Sequence, residues 1–257
     1  MLMVISPAKA LDFTAAPARA PMTRPAFQDD IAVLSAVTRT LTARRLKALM
    51  GISDALAELN RRRFQAFEAD GEDGLQAAFA FNGDVYRGLA ARDLEPAALK
   101  WAQDHLRILS GLYGLLRPLD AIQPYRLEMG SRLRTRRGAN LYAFWGARIA
   151  TALSEAVRGH RDPTLINLAS GEYFGAVDRT ALAIPVVSCH FRQQHEGRLR
   201  TLGFPAKRAR GLMARFAIER RADAAAELKA FDTDGYAFRA EASTDTDWVF
   251  ARPEPSA

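Results

Sequence analysis

The segment 105–130 combines apolar residues with side chains suited to binding an anion. Its second half carries Arg117, Arg126 and Glu128 among prolines and glycines. A guanidinium group recognises a phosphate or a carboxylate through two parallel hydrogen bonds, so a rigid loop that carries arginines suits an anionic ligand. The same composition fits structural ion pairs, from Arg126 to Glu128 or from Arg117 to Asp120, that hold a long loop in place. The residue types alone leave both interpretations open.

A second set of polar side chains follows the apolar run 164–168, which predicts a buried strand. Polar groups at the carboxyl end of a strand often face a binding cleft. Hydroxyl, amide and carboxylate groups in that place can form hydrogen bonds with a ligand or exchange protons with it. The candidate cleft residues are Tyr125, Glu128, Asn167, Ser170, Glu172 and Tyr173.

Basic residues on a predicted helix at 205–221 give the clearest indication of a polyanionic partner. The helical period places its cations on one face, and Glu219 is the only acid among them. These cations are Lys207, Arg208, Arg210, Arg215 and Arg221. Lys9, which follows a predicted first strand at 2–5, is a further candidate for facing a ligand. A solvated lysine on a loop fits that position equally well.

The segment 42–65 predicts two helices joined by a tight turn and resembles a helix-hairpin-helix motif. In that motif, backbone N–H groups at the start of the second helix bind a phosphate without reading bases. Gly51 fits the turn, but Ser53 stands where a second glycine is usual and can instead cap the helix, with Asp54 as a first-turn acid. An ordinary helical hairpin is the alternative. The candidate nucleic-acid contacts are Lys9, Gly51, Ser53, Arg61, Arg62, Arg117, Arg126, Lys207, Arg208, Arg210 and Arg215.

Helix and strand patterns alternate irregularly along the chain, which predicts an α+β (mixed α/β) fold. We expect one globular domain over residues 1–257, with the helix-hairpin-helix-like element near its start. The predicted helices include 29–41, 96–109, 141–157 and 223–231, and the predicted strands include 186–191, 235–242 and 246–252.

The composition limits the classes of protein to which the chain can belong. The 257 residues are 49% apolar and 25% charged, which is ordinary for a globular protein. An apolar run long enough to span a membrane and a basic leader are both lacking, and the single cysteine fits a reducing cytoplasm. A net charge of +7 favours anionic partners, above all nucleic acid, although the excess of arginine over lysine also fits a GC-rich coding style.

A metal site is the weaker interpretation of Cys189, His190 and His195. Neighbouring residues of a strand point to opposite faces, so Cys189 and His190 cannot both bind one ion there. Of the carboxylates, only Glu196 stands near enough in the sequence to complete such a set. We therefore expect neither a metal nor a cofactor.

Six collinear stretches carry a resemblance to a known family. They are ISPAKALD at 5–12, FNGDVYRGL at 81–89, SGLYGLLRPLD with PYRLEMG at 110–130, LYAFWG at 141–146, INLASGEYF at 166–174 and KRARGLMARF at 207–216. Together they resemble the signature of the YaaA family, the peroxide stress proteins. The resemblance implies a cytoplasmic protein that acts in hydrogen peroxide stress, limits free intracellular iron and binds DNA. It also implies a fold particular to that family, with a helix-hairpin-helix element.

The leading hypothesis is a cytoplasmic protein that binds double-stranded or branched DNA along a basic cleft, with no membrane partner. The alternative is an enzyme that acts on a nucleotide or a damaged nucleobase in the same cleft, with Glu172 as its acid or base. A nucleotide-like small molecule is then a further candidate partner. Buried strands at 2–5 and 164–168 are the elements expected to aim the dispersed residues at one point.

Overall fold

The structure of the protein, a computed structural model, describes residues 1–14, 20–71 and 73–254. The strands are β1 (Leu2–Ile5), β2 (Ala10–Leu11), β3 (Leu75–Gln76), β4 (Phe81–Asn82), β5 (Leu106–Ser110), β6 (Gly114–Leu116), β7 (Ala121–Ile122), β8 (Leu165–Leu168), β9 (Val186–His195), β10 (Arg198–Arg200), β11 (Ala237–Phe238) and β12 (Asp247–Arg252). The helices are α1 (Gln28–Arg39), α2 (Ala43–Met50), α3 (Asp54–Ala66), α4 (Ala77–Ala80), α5 (Asp84–Leu89), α6 (Pro96–His105), α7 (Leu141–Trp145), α8 (Arg148–Ala156), α9 (Gly171–Phe174) and α10 (Gly203–Arg220).

The main sheet is mostly parallel, and its centre is fully buried. In the described part of the chain it has eight strands, in the order β11-β12-β9-β8-β1-β5-β6, with β10 paired to β9. The strands β5, β1, β8, β9 and β12 run parallel to one another. β1 reads LMVI and β8 reads LINL, near-continuous apolar runs that suit strands covered on both faces. The predicted mixed α/β class is confirmed.

The chain changes direction across the sheet between β1 and β8. It leaves β1 toward β5 on one side, then returns to β8 on the other side and continues to β9 and β12. Ile5 and Leu168, the last residues of β1 and β8, lie opposite each other in the parallel register. Open α/β sheets form a crevice at such a point, outside the carboxyl ends of the strands. The fold therefore places the loops after β1 and β8 side by side.

Several predicted helices and strands are shorter or broken. The helix predicted at 96–109 ends at His105, because the residues from Leu106 onward pair with β1 as strand β5. The helix predicted at 141–157 is interrupted at Gly146, whose φ of 48° and ψ of −130° leave the helical region. The segments predicted as a helix at 223–231 and a strand at 235–242 consist mainly of short 3₁₀ turns around a two-residue strand.

A helical hairpin is present at α2 and α3, but a helix-hairpin-helix motif is not confirmed. Gly51 ends α2 in the left-handed conformation, with φ of 61°. The Ser53 hydroxyl caps α3 by accepting a hydrogen bond from the amide of Leu56, as the alternative interpretation held. Asp54 adds a carboxylate at the same helix start and pairs with Lys47 at 2.8 Å. A phosphate approaching this turn would meet that negative charge.

Helices α5 and α10 pack with their backbones in contact. Gly88 and Gly211 stand at the crossing, where a Cβ on Gly211 would overlap the carbonyl oxygen of Val85 and lie 2.7 Å from the amide nitrogen of Leu89. A Cβ on Gly88 would in turn lie 2.8 Å from the amide nitrogen of Leu212. Only glycine permits this approach, which fixes α10 against the short helix α5.

We expect Gly211→Ala to destabilise the protein by at least about 2 kcal/mol, because the added methyl group forces the two backbones apart. The measurement is the free energy of unfolding in urea. Gly203→Ala, in the first turn of the same helix, is the matched control, since a Cβ there meets no atom within 4 Å. Its unfolding free energy should be unchanged or slightly raised. Equal stability of the two variants would contradict the close crossing.

The amino terminus is held inside the protein by two histidines. Met1 is fully buried, and its carbonyl oxygen accepts hydrogen bonds from Nδ1 of His105 at 2.9 Å and Nδ1 of His160 at 3.0 Å. The two imidazole rings stack with centroids 4.4 Å apart, and Trp101 stacks on His105 at 3.8 Å. Burial lowers the pKa of both histidines, and in His160 the charge of the neighbouring His105 adds to the effect. The folded state therefore favours neutral imidazoles.

This arrangement predicts a loss of stability on mild acidification. The folded-state pKa of each histidine lies below its unfolded value, so the unfolded chain binds more protons as the pH falls through about 6.5. The contribution is fully present above that pH and is lost progressively below it, down to the lowered pKa values. The double variant His105→Gln/His160→Gln should show a weaker decline in unfolding free energy between about pH 7.5 and 5.5. Parallel pH profiles of variant and wild type would refute this.

Candidate functional site

A cavity of about 300 Å³ opens at the carboxyl ends of β1 and β8. Four parts of the chain line it: the loop after β1, the start of α5, the loop after β8, and the first half of α10. Its lining residues are Ser6, Pro7, Ala8, Lys9, Ala10, Asn82, Gly83, Asp84, Val85, Tyr86, Ser170, Glu172, Tyr173, Lys207 and Arg210. We refer to it as the switch-point pocket, because the sheet changes direction there.

Hydrogen bonds join the segments that form the pocket floor. The Ser6 hydroxyl accepts from the amide of Ser170 at 2.9 Å and lies 3.3 Å from its hydroxyl oxygen. The hydroxyl of Tyr86 donates to the carbonyl oxygen of Ser6 at 3.1 Å. Strand β2 pairs with β4, which sets Asn82 opposite Ala10. These contacts hold the polar lining on rigid parts of the fold.

Tyr86 and Tyr173 are the aromatic residues of the lining, and both are buried. Burial raises the pKa of each phenol well above its ordinary value. Both hydroxyls therefore stay protonated at neutral pH and act as neutral hydrogen-bonding groups. Their rings give the pocket an apolar wall beside its charged groups.

Lys207 and Arg210 bring positive charge into the pocket from successive turns of α10. Arg210 is largely buried, and among the described residues its Nε atom has no hydrogen-bond partner. Burial lowers the pKa of this guanidinium. Arginine nevertheless remains charged in proteins. Within the described part of the chain neither residue forms an ion pair with a carboxylate.

Two carboxylates stand in the same lining. Glu172 accepts a hydrogen bond at Oε1 from the amide of Gly130 at 3.0 Å, and among the described residues Oε2 has no partner. Asp84 pairs with Arg87 at 3.4 Å. The pocket thus combines cations with hydrogen-bond acceptors. In a purely structural cluster of salt bridges, these groups would pair with one another.

Lys9 connects the pocket to the loop at 124–130. Its Nζ pairs with Glu128 at 3.0 Å, and Arg126 pairs with the same carboxylate at 2.8 Å. Burial alone would raise the pKa of Glu128, but Lys9 and Arg126 outweigh it and hold that pKa below its usual value. Arg126 is therefore a structural partner of Glu128, which was one of the two interpretations that the sequence left open.

Eleven of the predicted residues are not among the lining of the switch-point pocket: Gly51, Ser53, Arg61, Arg62, Arg117, Tyr125, Arg126, Glu128, Asn167, Arg208 and Arg215. Arg117 pairs with Asp120 at 3.0 Å, again the structural alternative. Tyr125 is buried beneath the pocket, with its hydroxyl 2.7 Å from that of Ser110. Asn167 lines a neighbouring open cavity instead, where its amide donates to Ser188 at 3.3 Å. The predicted residues that do meet in the pocket are Lys9, Ser170, Glu172, Tyr173, Lys207 and Arg210.

Helix α10 does not present the single cationic face that its spacing predicts. Gly211 must lie against α5, so the side of the helix around it is buried. Arg215, one turn later, pairs with Glu219 at 2.8 Å and donates to the carbonyl oxygen of Ala90 at 3.0 Å. Lys207 and Arg208 remain exposed, whereas Arg210 faces the pocket.

Phe204 is an exposed residue that the sequence analysis overlooked. It lies in the first turn of α10, is 76% exposed, and has its ring centroid 5.8 Å from Nζ of Lys207. In the sequence, the position of this aromatic residue directly before the predicted basic helix at 205–221 indicated that it could belong to the same surface. Bases stack on such rings in proteins that bind unpaired nucleic acid.

The residues considered for a metal site are engaged elsewhere. Cys189 is buried, and burial raises the pKa of its thiol to about 12. His190 pairs with Asp247 at 2.8 Å, and His195 pairs with Glu254 at 2.9 Å. Among residues 1–14, 20–71 and 73–254, no three His, Cys, Asp or Glu side chains are grouped closely enough to hold a metal ion. The helices in these ranges also include none that is long and apolar enough to cross a membrane.

Comparisons with known proteins agree over nearly the whole chain. The family model described as "Peroxide stress protein YaaA" matches residues 1–242. A "UPF0246 protein" of Caulobacter vibrioides (strain NA1000 / CB15N) is 65% identical over 255 residues, which cover 99% of this chain and 100% of that protein. A "UPF0246 protein" of Phenylobacterium zucineum is 62% identical over 255 residues, covering 99% and 96%, and one of Maricaulis maris is 53% identical over 257 residues, covering 100% and 98%. The chain therefore belongs to the family of the peroxide stress protein YaaA, the UPF0246 proteins.

Proposed function

We propose that this peroxide stress protein acts by binding DNA along the rim of the switch-point pocket. The observation that carries the proposal is a set of exposed cations without ion pairs, two on the pocket helix α10 and three in the segment that follows Gly130. We call this set the basic rim; it consists of Arg132, Arg134, Arg136, Lys207 and Arg208. Within the described residues none of them pairs with a carboxylate, so all are available to phosphates.

One hydrogen bond ties the start of the segment that carries the rim arginines to the pocket. Gly130 donates to Glu172 at the pocket edge, and the chain continues from there through the rim segment. A residue spans at most about 3.6 Å, so the Cα of Arg134 lies within about 14 Å of Gly130. Lys207 and Arg208 approach the same opening from α10. We infer that the two halves of the rim form one positively charged surface.

Phe204 adds to this surface a group that contacts bases rather than phosphates. Its ring is exposed beside Lys207, a combination typical of sites that bind unpaired strands. The proposal does not depend on the helical hairpin, since Asp54 opposes a phosphate there and Arg61 pairs with Glu58 at 2.6 Å. A role of Gly51 and Ser53 in DNA binding stays a prediction.

We expect DNA binding that is independent of sequence and weakens steeply with salt, because phosphate contacts release counterions. Five rim cations predict a slope of log K against log salt of about −4.5 for duplex DNA. The triple variant Arg132→Gln/Arg134→Gln/Arg136→Gln should flatten this slope by about 2 to 3. The measurement is a titration of fluorescently labelled duplexes of unrelated sequence at several salt concentrations.

A control variant separates this surface from the overall charge. Arg158→Gln/Arg161→Gln/Arg239→Gln removes the same charge from exposed positions away from the pocket: the first two precede β8, at its amino end, and the third follows edge strand β11. Its binding should stay close to that of the wild type. Absence of binding at low salt, or equal losses in both triple variants, would overturn the proposal.

A further inference from the structure

The switch-point pocket has features that a DNA-binding surface does not need. A surface that binds phosphates in solution exposes its cations, as the basic rim does. Arg210 instead lies largely buried, with an Nε atom that forms no hydrogen bond within the part of the chain that the structure describes. An unpaired buried charge is costly, and a bound anion would relieve that cost. The pocket is therefore built for an anionic group that enters it.

The remaining lining indicates what else that ligand carries. A site for a bare anion would avoid acids, yet Glu172 and Asp84 stand in the same lining. Oε2 of Glu172 is open to a donor, and the amide of Asn82 can donate or accept. These groups suit a ligand that offers N–H or O–H donors in addition to its negative charge.

The aromatic wall adds the third requirement. Tyr86 and Tyr173 line the cavity, and their aromatic rings add apolar character to its wall. A ligand with one anionic end, hydrogen-bond donors and a planar ring satisfies all three parts of the lining. A volume of about 300 Å³ is at the lower end of the range for small-molecule sites.

We propose that the switch-point pocket binds a single nucleotide. Its phosphate contacts Arg210 and Lys207, its base lies against Tyr86 and Tyr173, and Glu172 accepts a hydrogen bond from the base or the sugar. The nucleotide is either free or one unit of a DNA strand turned out of the stack. Only the second source rests on the proposed DNA binding; the chemistry of the pocket is the same for both.

The test for a free nucleotide uses calorimetric titration of the full chain with the four deoxynucleoside monophosphates and with inorganic phosphate. Arg210→Met keeps the length and apolar part of the side chain and removes its charge. It should weaken binding of the monophosphates at least about tenfold. Arg239→Met, an exposed arginine next to edge strand β11, is the control and should bind as the wild type does.

Glu172→Gln separates a nucleotide from a simple anion. Loss of the carboxylate removes an acceptor for the base or sugar and also a repulsive charge. It should therefore weaken binding of at least one monophosphate, while phosphate binding stays equal or improves. If inorganic phosphate binds as tightly as every monophosphate and Glu172→Gln weakens none of them, the site takes an anion only and the proposal fails.

The DNA source is tested with a duplex that carries 2-aminopurine in a mismatch, whose fluorescence rises when the base leaves the stack. Wild type and Arg239→Met should raise the fluorescence, and Arg210→Met should not, although it still binds the duplex with a steep salt dependence. A rise that is the same with Arg210→Met would exclude the pocket from base extrusion. If free monophosphates also bind equally to Arg210→Met, or bind to no variant at millimolar concentration, the nucleotide site is refuted.

These outcomes separate the two proposals. If the wild type does not bind duplex DNA at low salt, the proposed function is refuted. The titrations with free nucleotides still test the pocket in that case. Retained duplex binding together with failure of the nucleotide experiments would refute only the pocket. Thermal unfolding of Arg210→Met should show an unchanged or higher midpoint, since removal of an unpaired buried charge is not destabilising. A folded variant is thus expected for every measurement.

Discussion

The contact between the backbones of α5 and α10 is the constraint on which the site depends. Gly88 and Gly211 have no side chain, and the two helices meet where any Cβ would clash. Because α10 carries the cations, its distance from α5 decides where they lie relative to the strand ends. A looser packing would move Lys207 and Arg210 away from the loops after β1 and β8. The glycines thus allow the basic helix α10 to approach closely enough to form one wall of the pocket.

The charges of the protein divide into two groups with different physical roles. Arg117, Arg126 and Arg137 are matched by carboxylates and hold loops in place, Arg137 by pairing with Asp30. Arg210 is largely buried, with its Nε atom fully so, and among residues 1–14, 20–71 and 73–254 it has no such match. Protein interiors rarely retain an unpaired charge unless the site uses it. This contrast distinguishes the switch-point pocket from the structural ion pairs elsewhere in the chain.

Membership of the YaaA family places the protein in the peroxide stress response, and two features of the site bear on how it acts there. An exposed rim of cations suits a long anionic polymer, whereas a small enclosed pocket suits one unit of it. The two features meet at Glu172, which contacts Gly130 at the start of the rim segment and lines the pocket. The proposed DNA surface and nucleotide site are therefore neighbouring parts of one region.

The sequence by itself determined the mixed α/β class, the buried strands at 2–5 and 164–168, and the family. Each follows from local apolar runs or from collinear motifs. It also supplied six of the residues that meet in the pocket: four because polar side chains after buried strands share one edge of a parallel sheet, and Lys207 and Arg210 because they stand on a basic helix. It did not separate Arg126 and Arg117 from the ligand-facing cations, since pairing with Glu128 and Asp120 depends on how loops fold. Only the tertiary structure decided the orientation of α10. Helical periodicity places Arg210 and Arg215 on one face with Lys207, but the close approach at Gly211 buries that face against α5 and leaves Arg210 facing the pocket.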